Sequence, residues 1–153
     1  MQSKPFSQAC ENNREPILLA LQRIFDNSRD VLEIGSGTGQ HAVFFAANMP
    51  HLCWHTSDLP ANHNGINAWI NDYPRHNLRR PLLLDVDQDI WPIGSTVDVV
   101  ADVGNKFDAV FSANTLHIMT WPQVEQLFRK VTTVIKYDAL VANNRLVAWR
   151  FSP

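Results

Sequence analysis

Cysteine is scarce in this 153-residue chain. Cys10 and Cys53 are the two present; they form no CxxC pair and suggest no disulfide framework, which fits a reducing, cytoplasmic setting. No apolar run approaches the ~20 residues needed to span a bilayer. The opening MQSKPFSQACENNREP has no apolar stretch of the kind a secretory signal carries, so neither membrane nor export is expected. An excess of positive charge is also missing: 13 Lys and Arg face 15 Asp and Glu, for a net charge of -2. A nucleic-acid partner is disfavoured, because a phosphate backbone calls for a positive face. There is no internal repeat and no low-complexity tract. What the chain does have is apolar material, 45% hydrophobic against 18% charged residues, enough for the core of one domain.

Periodicity supplies the order of elements. Ile17, Leu18, Leu21, Ile24 and Phe25 recur at helical spacing, with Asn12 or Asn13 as the cap and Pro16 in the first turn. Strands are expected over 31–34, 52–57, 81–86, 107–113 and 139–142. Between them come helices over 40–47 and about 60–73, and one that begins at Thr120 with the capping-box pattern Thr120-Trp121-Pro122-Gln123. That helix is expected to bury Val124, Leu127, Phe128, Val131 and Ile135. The stretch over 87–106 reads as mostly loop. Strands alternating with helices imply an α/β fold, a mostly parallel, Rossmann-like sheet of about five strands with helices on both faces. Such sheets bind ligands at the carboxyl ends of their strands, where the strand order reverses.

Three of only six glycines fall in one loop, VLEIGSGTGQH, between a strand and a helix. Glycine admits positive φ and lets a ligand approach the backbone, and a helix amino end offers unpaired N–H groups. The dinucleotide pattern GxGxxG would need glycine where Gln40 stands, and GxxxxGK[ST] is absent, so both common phosphate loops are disfavoured. A nicotinamide-dependent oxidoreductase is set aside on the same ground. Asp58 ends the second strand, 19 residues after Gly39, where a carboxylate can accept both ribose hydroxyls of an adenosine. Asp85 ends the third strand in LLLDV, within reach of an adenine amino group. Together they favour an adenosine pocket.

The stretches ENNREPIL, VLEIGSGTGQHAVFFA, SDLP, LLLDV and FDAVFSANTLHIMTW, covering about residues 6–142, resemble the class I S-adenosylmethionine-dependent methyltransferases. Within them the chain is most similar to the small subgroup that includes methyltransferase-like protein 26. The resemblance implies that Gly35, Gly37 and Gly39 line the methionine part of S-adenosyl-L-methionine. It implies that Glu33 supports the loop or the cofactor amine, that Asp58 holds the ribose, and that Asp85 and Val86 flank the adenine. Asn114 and His117 would face the methyl group and the substrate, and Asn13 and Arg14 would close over the site from the first helix. Methyl transfer from a sulfonium is an in-line displacement in which the protein mainly positions the reactants. His117 is the candidate base for a hydroxyl or thiol acceptor, and Trp121 a candidate wall of the substrate pocket. The acceptor is expected to be a small molecule or a protein.

His51 and His55 stand four apart, a spacing that could clamp zinc on a helix, but here it falls on an expected strand, with His63 further on, and no metal site is expected from them. Arg75, His76, Arg79 and Arg80 read as a solvated basic loop. The domain is expected over 1–142, with a divergent tail over 143–153 in place of the family's final strand pair. The resemblance thus leaves a second reading, a truncated module that binds cofactor or partner without catalysis.

Overall fold

Val31 and Leu32 are neighbours in a strand over Asp30–Glu33 (β1), and they bury on opposite faces of one sheet. That alternation, repeated along five parallel strands, builds two cores. The computed structural model describes residues 4–88, 91, 107–113, 115–145 and 148–150, with the backbone alone for His117, Ala148 and Trp149. Around β1 stand α1 (Gln8–Ile24), α2 (Gln40–Asn48), β2 (Cys53–Asp58), α3 (Pro60–Asp72) and β3 (Leu78–Leu83). The chain continues with β4 (Phe107–Ser112), α4 (Trp121–Val134), β5 (Ile135–Asn143) and β6 (Ala148–Arg150). The sheet order is β3-β2-β1-β4-β5-β6. The first five strands run parallel and β6 pairs with β5 antiparallel.

One core lies between the sheet and α1, α2 and α3. Trp54 of β2, Phe45 of α2 and Phe111 of β4 meet there as a fully buried aromatic trio, with ring centroids 5.5–5.9 Å apart. The other core lies under α4, where Leu127, Val131 and Val134 cover Leu32, Phe107 and Val110. Among the described residues no helix is long and apolar enough to cross a membrane.

Several boundaries differ from the sequence expectation. Helix α1 starts at Gln8 with Ser7 as its cap, so Pro16 lies inside the helix rather than in its first turn. Pro16 is exposed, so the carbonyl it leaves unpaired faces water, and the buried face of Ile17, Leu18 and Leu21 holds the helix on. Strand β3 begins at Leu78, three residues before the expected Pro81. It is the outer strand of the sheet, where a missing proline N–H costs no ladder bond. It therefore ends at Leu83, and Asp85 stands in the turn beyond it. Arg79 and Arg80, expected in a loop, belong to this strand.

The capping box at Thr120 and Gln123 is present. Phe128 of α4 is exposed, Val124 is half-buried, and Ile135 is buried as the first residue of β5 rather than on the helix. Strand β5 is therefore longer than the expected 139–142. A bulge absorbs the difference: Phe107 pairs with Ile135, but Ala109 pairs with Leu140, and Asp138 takes φ 68°. The free edge of β5 recruits β6 from the segment read as a tail, and Arg150 pairs with Asp138 at 2.9 Å. The expected loop over 87–106 lies outside the described residues apart from Asp87, Gln88 and Trp91.

Asn77, ahead of β3, is the buried polar residue that ties α2 to the sheet. Its side-chain amide nitrogen donates to the carbonyls of Ala46 and Leu52 at 2.9 Å and of Met49 at 3.4 Å, and its backbone carbonyl accepts from Trp54 N–H at 2.7 Å. Asn77→Ala removes this donor from the Ala46 and Leu52 carbonyls in a dry site, while Met49 keeps the Leu52 N–H, at an expected cost of about 2–3 kcal/mol in urea unfolding. A loss under about 0.5 kcal/mol, the range of an ordinary surface change, would show that the amide carries none of this.

Candidate functional site

The turn from β1 into α2 needs a backbone that most side chains forbid. Gly35, Gly37 and Gly39 take φ 72°, 59° and 92°. A Cβ on Gly35 would collide with the Thr115 side chain, and one on Gly39 would stand 3.0 Å from the Ile66 Cα of α3. A Cβ on Gly37 would meet nothing within 4 Å. Two of the glycines thus serve close packing, and the third leaves bare backbone facing open space.

The neighbouring strand tips tie the loop down. Ser36 and Ser57 bond reciprocally: Ser36 N–H donates to the Ser57 carbonyl at 2.9 Å, and Ser57 N–H to the Ser36 hydroxyl at 3.0 Å. Gly37 N–H donates to Asp58 Oδ2 at 2.8 Å. Asp58 Oδ1 accepts from Leu59 N–H at 2.7 Å and Asn62 Nδ2 at 2.9 Å. From the other side, Ser112 donates to the Ile34 carbonyl at 3.0 Å. The loop therefore sits at the tip of β1, flanked by the tips of β2 and β4, beside the point between β1 and β4 where the strand order reverses.

Gln40, the residue that breaks the dinucleotide pattern, is buried and has a different task. Its Oε1 accepts from Ser7 N–H at 2.6 Å, while Nε2 donates to Glu11 Oε1 at 2.9 Å and to the Ser7 carbonyl at 3.3 Å. The side chain clamps the start of α1 beside the glycine loop.

A cavity of about 460 Å³ opens over this loop. Glu33, Gly35, Gly37, Asp58, Asp85 and Val86 of the expected site line it together. Gly39 faces α3 instead. Asn13 and Arg14 stand behind the wall: Asn13 Oδ1 is 2.8 Å from His41 Nε2, and Arg14 pairs with Glu11 at 2.8 Å and covers the Phe44 ring. Trp121 is exposed and borders an adjoining hollow of about 700 Å³, which shares Thr115 and Met119 with the cavity and has Arg145 on its rim. Asn114 and the His117 side chain lie outside the described residues. Sequence reasoning missed Ser7, Cys10, His41 and Asn62 on the cavity wall. Only His41 carried a signal, standing in GQHA directly after the glycine loop.

Charge distinguishes this cavity. Glu33, Asp58, Asp85 and Asp87 line it, with no lysine or arginine among the described lining residues. Burial holds His41 below the ordinary imidazole range, so it adds no positive charge near neutrality. Burial also pushes the Glu33 carboxyl up to about 7, against the opposing hydrogen bonds from Trp54 and Ser36 and with added repulsion from Asp58. Trp54 Nε1 donates to Glu33 Oε2 at 2.6 Å. Such a wall attracts a cation and repels phosphate.

The family described as Protein of unknown function (DUF938) matches residues 4–150. The chain belongs to that family. Solved structures share its fold. The S-adenosylmethionine-dependent methyltransferase SibL in its apo form superposes with a TM-score of 0.70 at 22% identity, over 88% of this chain and 36% of that one. The mitomycin 7-O-methyltransferase MmcR gives 0.69 at 17% identity, over 88% of this chain and 35% of that one. Human N-acetylserotonin methyltransferase in complex with SAM gives 0.66 at 14% identity, over 89% and 34%. The fold is thus the Rossmann-like methyltransferase fold, and the chain spans about a third of the length of these three proteins.

The Glu33 carboxyl makes stability depend on pH. Folded, it keeps its proton up to about pH 7, whereas unfolded it releases it near 4.5. Its contribution is fully present below pH 4.5 and is lost as pH rises through 7. Glu33→Gln removes this dependence. Relative to the variant, the wild type is expected to lose about 3 kcal/mol between acidic and mildly alkaline pH. Denaturant unfolding of both proteins across that range measures it, and parallel curves would mean that Glu33 does not titrate there.

Proposed function

We propose that this chain binds S-adenosylmethionine at the glycine loop and forms the cofactor-binding part of a methyltransferase acting on a small-molecule or protein acceptor. The observation that carries the reading is the carboxylate-lined cavity with no lysine or arginine among its described lining residues. A ligand with a fixed positive charge gains there, and a nucleotide coenzyme with its phosphates loses. The remaining features fit the same ligand. The open backbone at Gly37 admits close approach, and the amino end of α2 favours a ligand carboxylate. A volume of about 460 Å³ suits a small-molecule site.

When bound, the cofactor supplies an already activated methyl group. The chain's own work is to hold, orient and dry the site. Gly35 and Gly37 would cradle the methionine end while Glu33 takes the amine. Asp58 offers its remaining lone pair to the ribose after serving Gly37, Leu59 and Asn62. Asp85 and Val86 would flank the adenine. In this reading Asn114 and His117 serve the acceptor side. The lining residues Thr115, Ile118 and Met119 on either side of His117 support that role. His117 would take the proton of a hydroxyl or thiol acceptor, with Trp121 bordering the acceptor hollow. Asn13 and Arg14 would act through His41 and Glu11. The finer kinship, with the subgroup that includes methyltransferase-like protein 26, rests on the ENNREPIL, GQHA and SANTLHI stretches.

Isothermal titration with S-adenosylmethionine tests the reading. The wild type is expected to bind one equivalent. Gly37→Ala, which sets a methyl group into the cavity, is expected to weaken binding by about tenfold or more, or 1.4 kcal/mol. Its folding cost is about 1–2 kcal/mol, that of a left-handed alanine. Asp85→Ala is expected to weaken binding with little change in stability, since among the described residues its carboxylate makes one local bond, to Asp87 N–H. No heat with the wild type would overturn the reading. Binding without product across a broad acceptor screen would reduce it to a cofactor-binding module.

A further inference from the structure

The amino ends of β1 and β2, at the far end of the sheet from the cavity, carry a second group of chemistry-bearing side chains. Cys53 and His55 are two residues apart in β2, so both leave the same face of the sheet. Register sets Asp30 of β1 opposite Cys53. The Cys53 sulfur, a His55 ring nitrogen and an Asp30 carboxylate oxygen lie within 4.8 Å of one another, with His55 Nε2 3.4 Å from Asp30 Oδ1. The His55 ring is buried edge-on against Phe107, and Asp30 N–H is anchored on the Asp108 carboxylate at 2.8 Å. Cys53 and Asp30 are half-buried, which leaves the group reachable from solvent.

We infer that Asp30, Cys53 and His55 form a site for one divalent transition-metal ion of the zinc class. Thiolate, imidazole and carboxylate are the donors such ions take, whereas magnesium and calcium favour all-oxygen sets. Bonds of about 2.0–2.3 Å set tetrahedral donors roughly 3.3–3.8 Å apart, so the three side chains need to close by about 1 Å. The half-buried Cys53 and Asp30 supply that movement, while His55 stays held by Phe107. On binding, the Cys53 thiol releases its proton to solvent and its sulfur bonds the ion, so affinity rises with pH. Arg79 faces His55 across the β2–β3 register. Its charge favours the thiolate but opposes the ion, so the site is weaker than a closed four-ligand one. The ion would staple β1 to β2 and take no part in chemistry at the cavity.

Titration of the whole chain with cobalt(II) alone, followed by zinc(II), tests this. A thiolate–cobalt bond gives a near-ultraviolet charge-transfer band. The expected result is a band that saturates at one ion per chain and is displaced by zinc. Cys53→Ser abolishes it, Cys10→Ser keeps it, and Asp30→Asn weakens affinity by about tenfold or more. Alkylation of the wild type, read by peptide mass spectrometry, is expected to show zinc shielding Cys53 and not Cys10, and it needs no variant to fold. Absence of the band in the wild type, its survival in Cys53→Ser, or equal alkylation of Cys53 with and without zinc would each overturn the site.

Discussion

One hydrogen bond organises the cavity end of this molecule: Gly37 N–H donating to the Asp58 carboxylate. The chain leaves β1 at Glu33 and must enter α2 at Gln40, through three left-handed glycines that no repeating structure supports. Asp58, at the tip of β2, supplies that support from the adjacent strand. Because the same carboxylate also accepts from Leu59 N–H and Asn62, it fixes the start of α3 as well as the loop. Release of that carboxylate would free both walls of the cavity at once. A single side chain therefore couples the order of β1, β2 and α3 to the shape of the site.

The electrostatic design follows from where these carboxylates lie. Glu33 is buried against Trp54, and repulsion from Asp58 adds to the cost of ionising it. A buried acid near neutrality without a cationic partner is costly. A positively charged guest would reduce that cost for both acids, which is the physical link between an unfavourable buried charge and a selective cavity. The opposite end of the sheet is built on another logic, with sulfur, imidazole and carboxylate drawn together by strand register.

The alternation of strands and helices was legible because one residue in two, or one in three or four, is apolar in each element. Ile17, Leu18 and Leu21 marked α1, and Phe107 to Phe111 marked β4. Boundaries were less legible where local rules met long-range ones. Pro16 reads as a first-turn residue until Ser7 is seen capping the helix two turns earlier. Pro81 reads as a strand start until β3 is seen to be the outer strand. Residues 148–150 carry no strand signal of their own and pair because the edge of β5 offers them unpaired backbone groups.

By itself the sequence determined the parallel α/β order, the glycine turn between the first strand and its helix, and the carboxylate at the tip of the second strand. These are local properties of spacing and backbone freedom. The tertiary structure alone decided which further side chains join them on the cavity wall. Ser7 meets Gln40, and Thr115 sits against Gly35, across separations of 33 and more residues. Asn13 and Arg14 were turned away from the cavity by His41 and Glu11. Contacts of that range depend on how layers pack against one another, and no periodicity along the chain encodes them.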